Sequence, residues 1–256
     1  MERLVDLLYT ELLKLKRSNM FLISIIGAGV APFLVVVASY IHIKTKQPTP
    51  TILFHQLFTE VNLYTTLIIG FPLYGVVVAY LFTREYAEDT LKHLLTIPVS
   101  RISFIISKFI LLFLWIMMLT LVAWALTLLL GLIGSFPGFS ITLLLDSIVK
   151  FLICGGLLFL LSFSIVFSYC LFLLSSPIVM KTYVPPIILT IIITMTNLMI
   201  VNSKHKDLFP WTATLDIANN ELQSTYPPEY SYIIIAVTTI FGFIATLFYF
   251  KRVDIH

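Results

Sequence analysis

The chain has 256 residues, of which 59% are hydrophobic and 11% are charged, and its formal net charge is +3. Soluble domains carry about 25% charged residues, so this composition excludes an ordinary soluble protein and favours one embedded in a membrane. Both cysteines, Cys154 and Cys170, lie inside one apolar run. We interpret them as small packing residues, because a disulfide framework places paired cysteines in loops.

Six runs of about twenty apolar residues predict membrane-spanning helices. They are residues 21–41, 61–83, 109–134, 151–174, 182–201 and 231–250. Strands of a membrane barrel would be about ten residues long and would alternate in polarity, so the predicted fold class is an all-α membrane protein. The first run is longer than the apolar core of a secretory signal, about 7–15 residues, which favours a retained span.

One membrane domain, residues 1–256, accounts for the whole sequence. Its predicted parts are an N-terminal helix (1–19), spans one and two (21–83), a charged segment (84–100), spans three to five (101–201), a loop (202–230), and span six with the tail (231–256).

Lysine and arginine predict the orientation, because they concentrate in cytoplasmic segments. With both termini cytoplasmic, the inner segments hold eleven of the sixteen Lys and Arg residues and the outer segments hold five. The outer segments are then a Thr- and Pro-rich linker (44–60), a short turn (135–147) and the loop 202–230. Since Trp and Tyr favour the headgroup level, this loop either lies on or dips into the membrane, or it is a solvated loop anchored by one tryptophan.

Residues 84–101, REYAEDTLKHLLTIPVSR, interrupt the apolar sequence, since seven of the eighteen are Arg, Lys, Glu, Asp or His. From Ala87 onward, leucines fall on one face of a predicted helix and charged residues on the other. Pro98 ends this helix because the residue before a proline avoids helical backbone. The segment is either a solvated connection between two spans or a rigid docking helix for a cytoplasmic partner.

A second amphipathic helix is predicted at the N-terminus. Leu4, Leu8, Leu12 and Leu15 form an apolar stripe, which Glu11 interrupts. Helices of this kind lie in the plane of the membrane interface. We therefore expect an interfacial anchoring helix, a position that is compatible with contact to a partner.

Motifs for catalysis or for an independent energy supply are missing from the sequence. It contains no G-x-x-x-x-G-K-[ST], H-E-x-x-H or G-x-S-x-G pattern, and its five histidines are scattered over loops. None of the thirteen acidic residues lies inside the six runs, which disfavours ion-coupled transport. The nearest, Asp146, is expected to pair with Lys150 one helical turn later. The chain is thus predicted to be neither an enzyme nor a nucleic-acid-binding protein, and to hold no metal or cofactor.

These features resemble the type-2 exporter family of ABC transporter permeases, in particular the small bacterial subunits linked to bacitracin and lantibiotic resistance. The matching pattern is an acidic residue after span two, a Thr-Leu helix, a proline, a Ser-Arg pair and a lysine in span three. In this sequence it consists of Glu85, Thr90, Leu91, Pro98, Ser100, Arg101 and Lys108. An N-terminal E-x-x-K-x-K/R pattern also matches, with Glu11, Lys14, Lys16 and Arg17.

The resemblance implies a half-transporter with no cofactor of its own. Two permeases, identical or sister chains, would each dock on a separate ATPase subunit that binds ATP and Mg²⁺. Residues 1–19 would form a connecting helix, residues 87–97 a coupling helix, and Phe209, Pro210 and Trp211 part of an outer gate. The residues implied in ATPase coupling are Arg84, Glu85, Glu88, Asp89, Thr90, Leu91, Leu94, Leu95, Pro98 and Arg101.

The implied function is export of antimicrobial peptides or other amphipathic compounds across the bacterial plasma membrane. Two alternatives stay open at this point. One is an ATPase-coupled membrane sensor or regulator, and the other is a secondary or passive carrier that works alone.

Overall fold

The structure is a computed structural model. It describes residues 2–16, 18–45, 52–87, 101–175, 184–220 and 226–252. Across these ranges the chain is helical and forms no β-strand, which confirms the all-α prediction. The α-helices are α1 (Glu2–Lys16), α2 (Asn19–Thr45), α3 (Phe54–Tyr64), α4 (Gly70–Ala87), α5 (Arg101–Ile133), α6 (Ile141–Ser175), α7 (Val184–Ile200), α8 (Pro210–Asn219) and α9 (Glu229–Arg252). A π-helical segment (Thr65–Ile69) joins α3 to α4, and a 3₁₀ turn (Lys206–Leu208) precedes α8.

Five helical stretches in the described ranges are long and apolar enough to cross a membrane. They are Asn19–Thr45, Phe54–Arg84, Ile102–Ile133, Ile141–Phe167 and Glu229–Phe248. The remaining predicted span corresponds to α7, which is apolar and has 17 residues. The chain is therefore a multi-span helical membrane protein, with five long spans and one shorter apolar helix in its described part.

The helices extend beyond the apolar runs, so three predicted connections are wrong in part. Helix α3 begins at Phe54, inside the expected linker 44–60, and α6 begins at Ile141, inside the expected turn 135–147. The expected loop 202–230 contains α8. A search for continuous apolar runs misses such extensions because they are amphipathic: Leu57 and Val61 are buried, whereas Gln56 and Glu60 lie on the exposed side.

The π segment in span two has an explanation in the sequence. Pro72 has no N–H to donate to the carbonyl four residues earlier, and its ring clashes with that carbonyl. The backbone N–H of Gly70 donates instead to the carbonyl of Thr65, five residues back. A methyl group on residue 70 would collide with this oxygen, so the wide turn requires glycine. Such π insertions are frequent at functional sites.

Span two occupies the centre of the bundle. In its most apolar window 72% of the residues are buried, against 28% for α2 and 22% for α9. Helices α6 and α7 pack on α4, while α2 packs on α5 and α9 packs on α6. Any rearrangement of span two therefore changes its contacts with several other helices at once.

Candidate functional site

Helix α1 is tied to the last turn of span two. Arg84 donates from Nη1 to the backbone carbonyl of Lys14 at 3.4 Å, and its guanidinium lies 5.5 Å from the ring centre of Tyr80. Lys14 in turn forms an ion pair of 2.7 Å with Glu11, which is buried on the inner face of α1. The prediction that Glu11 interrupts the apolar face is confirmed. Arg84 of the expected coupling set thus contacts Lys14 of the expected connecting helix, and Lys14 pairs with Glu11.

Lys108 ties span three to the same turn of span two. Its side chain is 2% exposed, and its Nζ donates to the backbone carbonyl of Leu81. The ammonium also lies 4.9 Å from the ring centre of Phe104 and 5.6 Å from that of Phe82. A desolvated cation needs such compensation from a carbonyl and aromatic faces. The residue that carried the family resemblance in span three therefore fixes the second turn of α5 against α4.

The segment that joins α4 to α5, residues 88–100, lies outside the described residues. Helix α4 ends at Ala87 and α5 begins at Arg101. Glu85 lies in the last turn of α4. The other expected coupling residues, Glu88, Asp89, Thr90, Leu91, Leu94, Leu95 and Pro98, fall outside the described residues, as does Arg17 of the connecting helix, whose Lys16 ends α1.

An apolar groove of about 470 Å³ runs between α1 and α5. Leu12 and Leu13 line it from α1, and Leu111, Leu114 and Trp115 line it from α5. The Trp115 indole N–H is satisfied outside the groove by Ser24 Oγ at 3.0 Å. The groove therefore offers hydrocarbon contact and almost no hydrogen-bonding groups.

A buried polar seam surrounds the π segment. Asn197 of α7 donates from Nδ2 to the carbonyl of Leu67 at 3.4 Å, and Asn62 of α3 donates to Cys154 Sγ of α6 at 3.4 Å. Cys154 is buried, as predicted, but it belongs to this seam rather than to purely apolar surroundings. Sequence reasoning missed the seam, although Asn62 and Asn197 are the only amide side chains in the six apolar runs.

The expected outer-gate residues begin helix α8. Pro210 occupies the first turn of α8, where its missing N–H is harmless. The Trp211 ring lies 5.0 Å from that of Phe209 and 5.6 Å from that of Phe71 on α4. Most of α8 is buried against α6 and the π segment. Trp211 thus contacts the middle of span two, and Phe209 packs on Trp211.

A charged cluster holds the turn before α8. Lys206 Nζ lies 2.8 Å from Asp216 Oδ2. Asp207 is 2% exposed, and neither of its carboxylate oxygens has a hydrogen-bond partner among the described residues. Burial raises the pKa of Asp216, Lys206 lowers it, and the neighbouring Asp207 raises it again. Sequence reasoning missed this cluster, because both aspartates lie outside the apolar runs.

The predicted pair between Asp146 and Lys150 is confirmed at 2.8 Å. Asp146 is well exposed, which fits a surface pair rather than an ion relay. The pair lines a small cleft of about 120 Å³ together with His55 and Asn219. No group of three or more His, Cys, Asp or Glu side chains suited to a metal occurs within the described ranges.

The bundle and its two ends define a class: a polytopic helical membrane protein in which a charged segment links spans two and three and a buried helix precedes the last span. Residues 7–197 match the ABC-2 family of transporter proteins, and the chain belongs to that family. It is 53% identical over 213 residues to the bacitracin transport permease protein BCRB of Bacillus licheniformis, an alignment that covers 83% of this chain and 99% of the relative. The resemblance found in the sequence is confirmed.

Proposed function

We propose that this chain is the transmembrane subunit of an ATP-driven exporter that moves antimicrobial peptides or other amphipathic compounds across a bacterial plasma membrane. The observation that carries the proposal is the match to a bacitracin transport permease over 99% of that protein's length. Because the sequence has no nucleotide-binding motif, ATP and Mg²⁺ would bind to separate subunits. The complete exporter would contain two ATPase subunits and a second permease, either a copy or a sister chain.

The topology proposed for this subunit has six spans with both termini in the cytoplasm. At 1.5 Å per residue, the 17 residues of α7 cover about 26 Å, close to the hydrocarbon thickness of about 30 Å. The contact between Arg84 and Lys14 puts α1 and the end of span two at one end of the bundle. The excess of Lys and Arg in these segments supports a cytoplasmic position for that end.

Coupling to the ATPase is proposed at this end. Helix α1 would lie in the membrane interface as the connecting helix, and the segment 84–100 would present its charged face to the ATPase. Arg84 and Lys108 support this assignment, because they join α1, α4 and α5 next to the segment. A displacement of the segment would reach all three helices through these contacts.

The outer gate is proposed at the opposite end, where Phe209, Pro210 and Trp211 begin α8. The contact of Trp211 with Phe71 supports this assignment, since Phe71 lies in the first turn after the π segment of span two. Movement of span two would therefore directly change the packing contacts of α8.

Expression in a bacitracin-sensitive bacterium tests the function. The chain and its cognate ATPase are produced alone and together, and bacitracin resistance and co-purification are measured. We expect resistance only when both are present, and no resistance when the ATPase carries a substitution of its nucleotide-binding lysine. Resistance from the chain alone would instead indicate an independent carrier. Stable co-purification without export of peptide into inverted vesicles would indicate a sensor.

A further inference from the structure

The turn before α8 and α8 itself hold two buried carboxylates, Asp207 and Asp216. Of the two lysines in the turn, Lys204 is exposed, and Lys206 forms an ion pair with Asp216 and with no other described carboxylate. Asp207 has no hydrogen-bond donor in the part of the chain that the structure describes. An ionised carboxylate that is buried without a donor is strongly destabilising. The site therefore requires a further positive charge.

The geometry restricts which cation can supply that charge. Ca²⁺ and Mg²⁺ take six or more oxygen ligands, and one oxygen of Asp216 is already paired with Lys206. The hydroxyls nearby do not serve the carboxylates: Ser231 Oγ donates to the backbone carbonyl of Asp207 at 2.8 Å, and Thr212 Oγ1 donates to that of Lys206. A proton needs no additional ligands and no additional space.

Other titratable groups near α8 do not compensate the pair. Glu229 on α9 is exposed. His205 in the turn is also exposed, and its ring lies 5.7 Å from that of Tyr226. On α6, Lys150 is engaged with Asp146, and Cys154 lies next to the Thr214 carbonyl. Within the described residues, Lys206 is thus the cation that the structure pairs with this cluster.

We propose that Asp207 and Asp216 together bind one proton, and that this shared proton keeps the 3₁₀ turn and α8 seated in the bundle. Carboxyl groups placed side by side cannot both ionise without a large repulsion. One proton between them leaves one negative charge, which the Lys206 ammonium balances. When the proton leaves, the unpaired charge repels its neighbour and favours release of the turn. This site goes beyond the proposed function and does not depend on it.

The sign of the pH dependence follows from the raised pKa of Asp216. An unperturbed aspartate titrates near pH 3.9. Because the seated arrangement raises this pKa, protonation favours the seated arrangement over the released one. The packing of α8 in the bundle is therefore most stable at low pH. It loses stability as the pH rises from the ordinary aspartate pKa to the raised pKa of Asp216, and it is constant above that. Once the pair is fully ionised, each unit by which the pKa is raised lowers the equilibrium constant for packing of the turn and α8 about tenfold.

Infrared spectroscopy of the purified full-length chain detects the proton directly. A protonated carboxyl has a C=O stretching band that an ionised one lacks. We expect a band that titrates above the ordinary aspartate range in the wild type and that is lost in both D207N and D216N. Asp146→Asn is the matched control, since Asp146 forms an ion pair of the same length on an exposed surface, and the band should persist there. Identical titrations in the wild type and all three variants would overturn the proposal.

Cys154 reports the seating of α8, because its Sγ lies 3.9 Å from the Thr214 carbonyl. With Cys170 replaced by serine, the rate of N-ethylmaleimide labelling is compared between the wild-type aspartates and D207N, so that the pH dependence of the thiol itself cancels in the ratio. We expect the labelling rate with the wild-type aspartates, divided by the rate in D207N, to be near one at about pH 4. This ratio should rise about tenfold or more toward about pH 8. A ratio that is constant over this range would overturn the proposal, as would faster labelling of D207N at every pH.

Discussion

Arg84 donates a hydrogen bond to the backbone carbonyl of Lys14, 3.4 Å away and 70 positions earlier in the chain. Three residues before Arg84, in the same turn of span two, the Leu81 carbonyl accepts a hydrogen bond from Lys108 of span three. Helix α1, span two and span three are therefore joined at the last turn of α4.

Arg84→Ala should uncouple the transporter without unfolding it. The substitution removes the donor to Lys14 and the stacking on Tyr80, contacts that together are worth about 1–3 kcal/mol. We expect peptide-stimulated ATPase activity of the reconstituted complex to fall at least severalfold, while the thermal unfolding midpoint of the permease falls by only about 2–10 °C and the chain stays folded at the assay temperature. Lys44→Ala is the matched control, because Lys44 stacks on Tyr40 at the far end of α2. Equal losses in the two variants would contradict a specific role for Arg84.

The sequence predicted the fold class and most spans because long apolar runs carry a strong signal, and it predicted the family because the pattern from Glu85 to Lys108 resembles that family. It did not predict where helices continue as amphipathic extensions, as at Phe54 and Ile141. At the candidate sites it identified Glu11, Arg84 and Lys108 as special but not their contacts. The ion pair of Lys206 with Asp216 and the hydrogen bond of Asn197 to Leu67 depend on how separate elements pack. No local pattern in one sequence encodes such contacts.

Gly70→Ala should destabilise span two. Its methyl group would collide with the Thr65 carbonyl in the π turn, and strain of this kind costs about 1–3 kcal/mol. Thermal unfolding in detergent measures the effect. Gly156→Ala serves as the control, since its methyl group would meet only Met117 Cε at 3.4 Å. Wild-type stability in Gly70→Ala would show that the π turn is not required.

Asn197→Leu should loosen the contact between α7 and span two. The substitution removes the donor to the Leu67 carbonyl, and interhelical hydrogen bonds in membrane proteins contribute about 0.6 kcal/mol on average and up to about 1.7. We expect lower thermal stability by an amount in this range. Thr196→Val is the comparison variant, because the Thr196 hydroxyl donates within its own helix, to the Ile192 carbonyl, and to no other described residue. A larger loss in Thr196→Val than in Asn197→Leu would contradict this role.

Cysteine labelling tests the proposed topology. Single cysteines at positions 92 and 204, in a chain with Cys154 and Cys170 replaced by serine, should react with an impermeant maleimide from opposite sides of the membrane. Lys204 is exposed and lies between α7 and the 3₁₀ turn, at the end expected outside the cell. Labelling of both positions from the same side would overturn the six-span arrangement.

The most direct test of ATP-driven export is peptide transport by proteoliposomes that contain the permease and its ATPase, measured for the wild type and for Leu94→Asp. A carboxylate at position 94 would place charge on the apolar face predicted for the coupling helix, whereas Lys204→Glu changes a charge at the other end of the bundle. The account predicts ATP-dependent transport by the wild type and by Lys204→Glu, and loss of transport in Leu94→Asp with normal membrane insertion. Transport that persists without ATP, or full transport by Leu94→Asp, would contradict it.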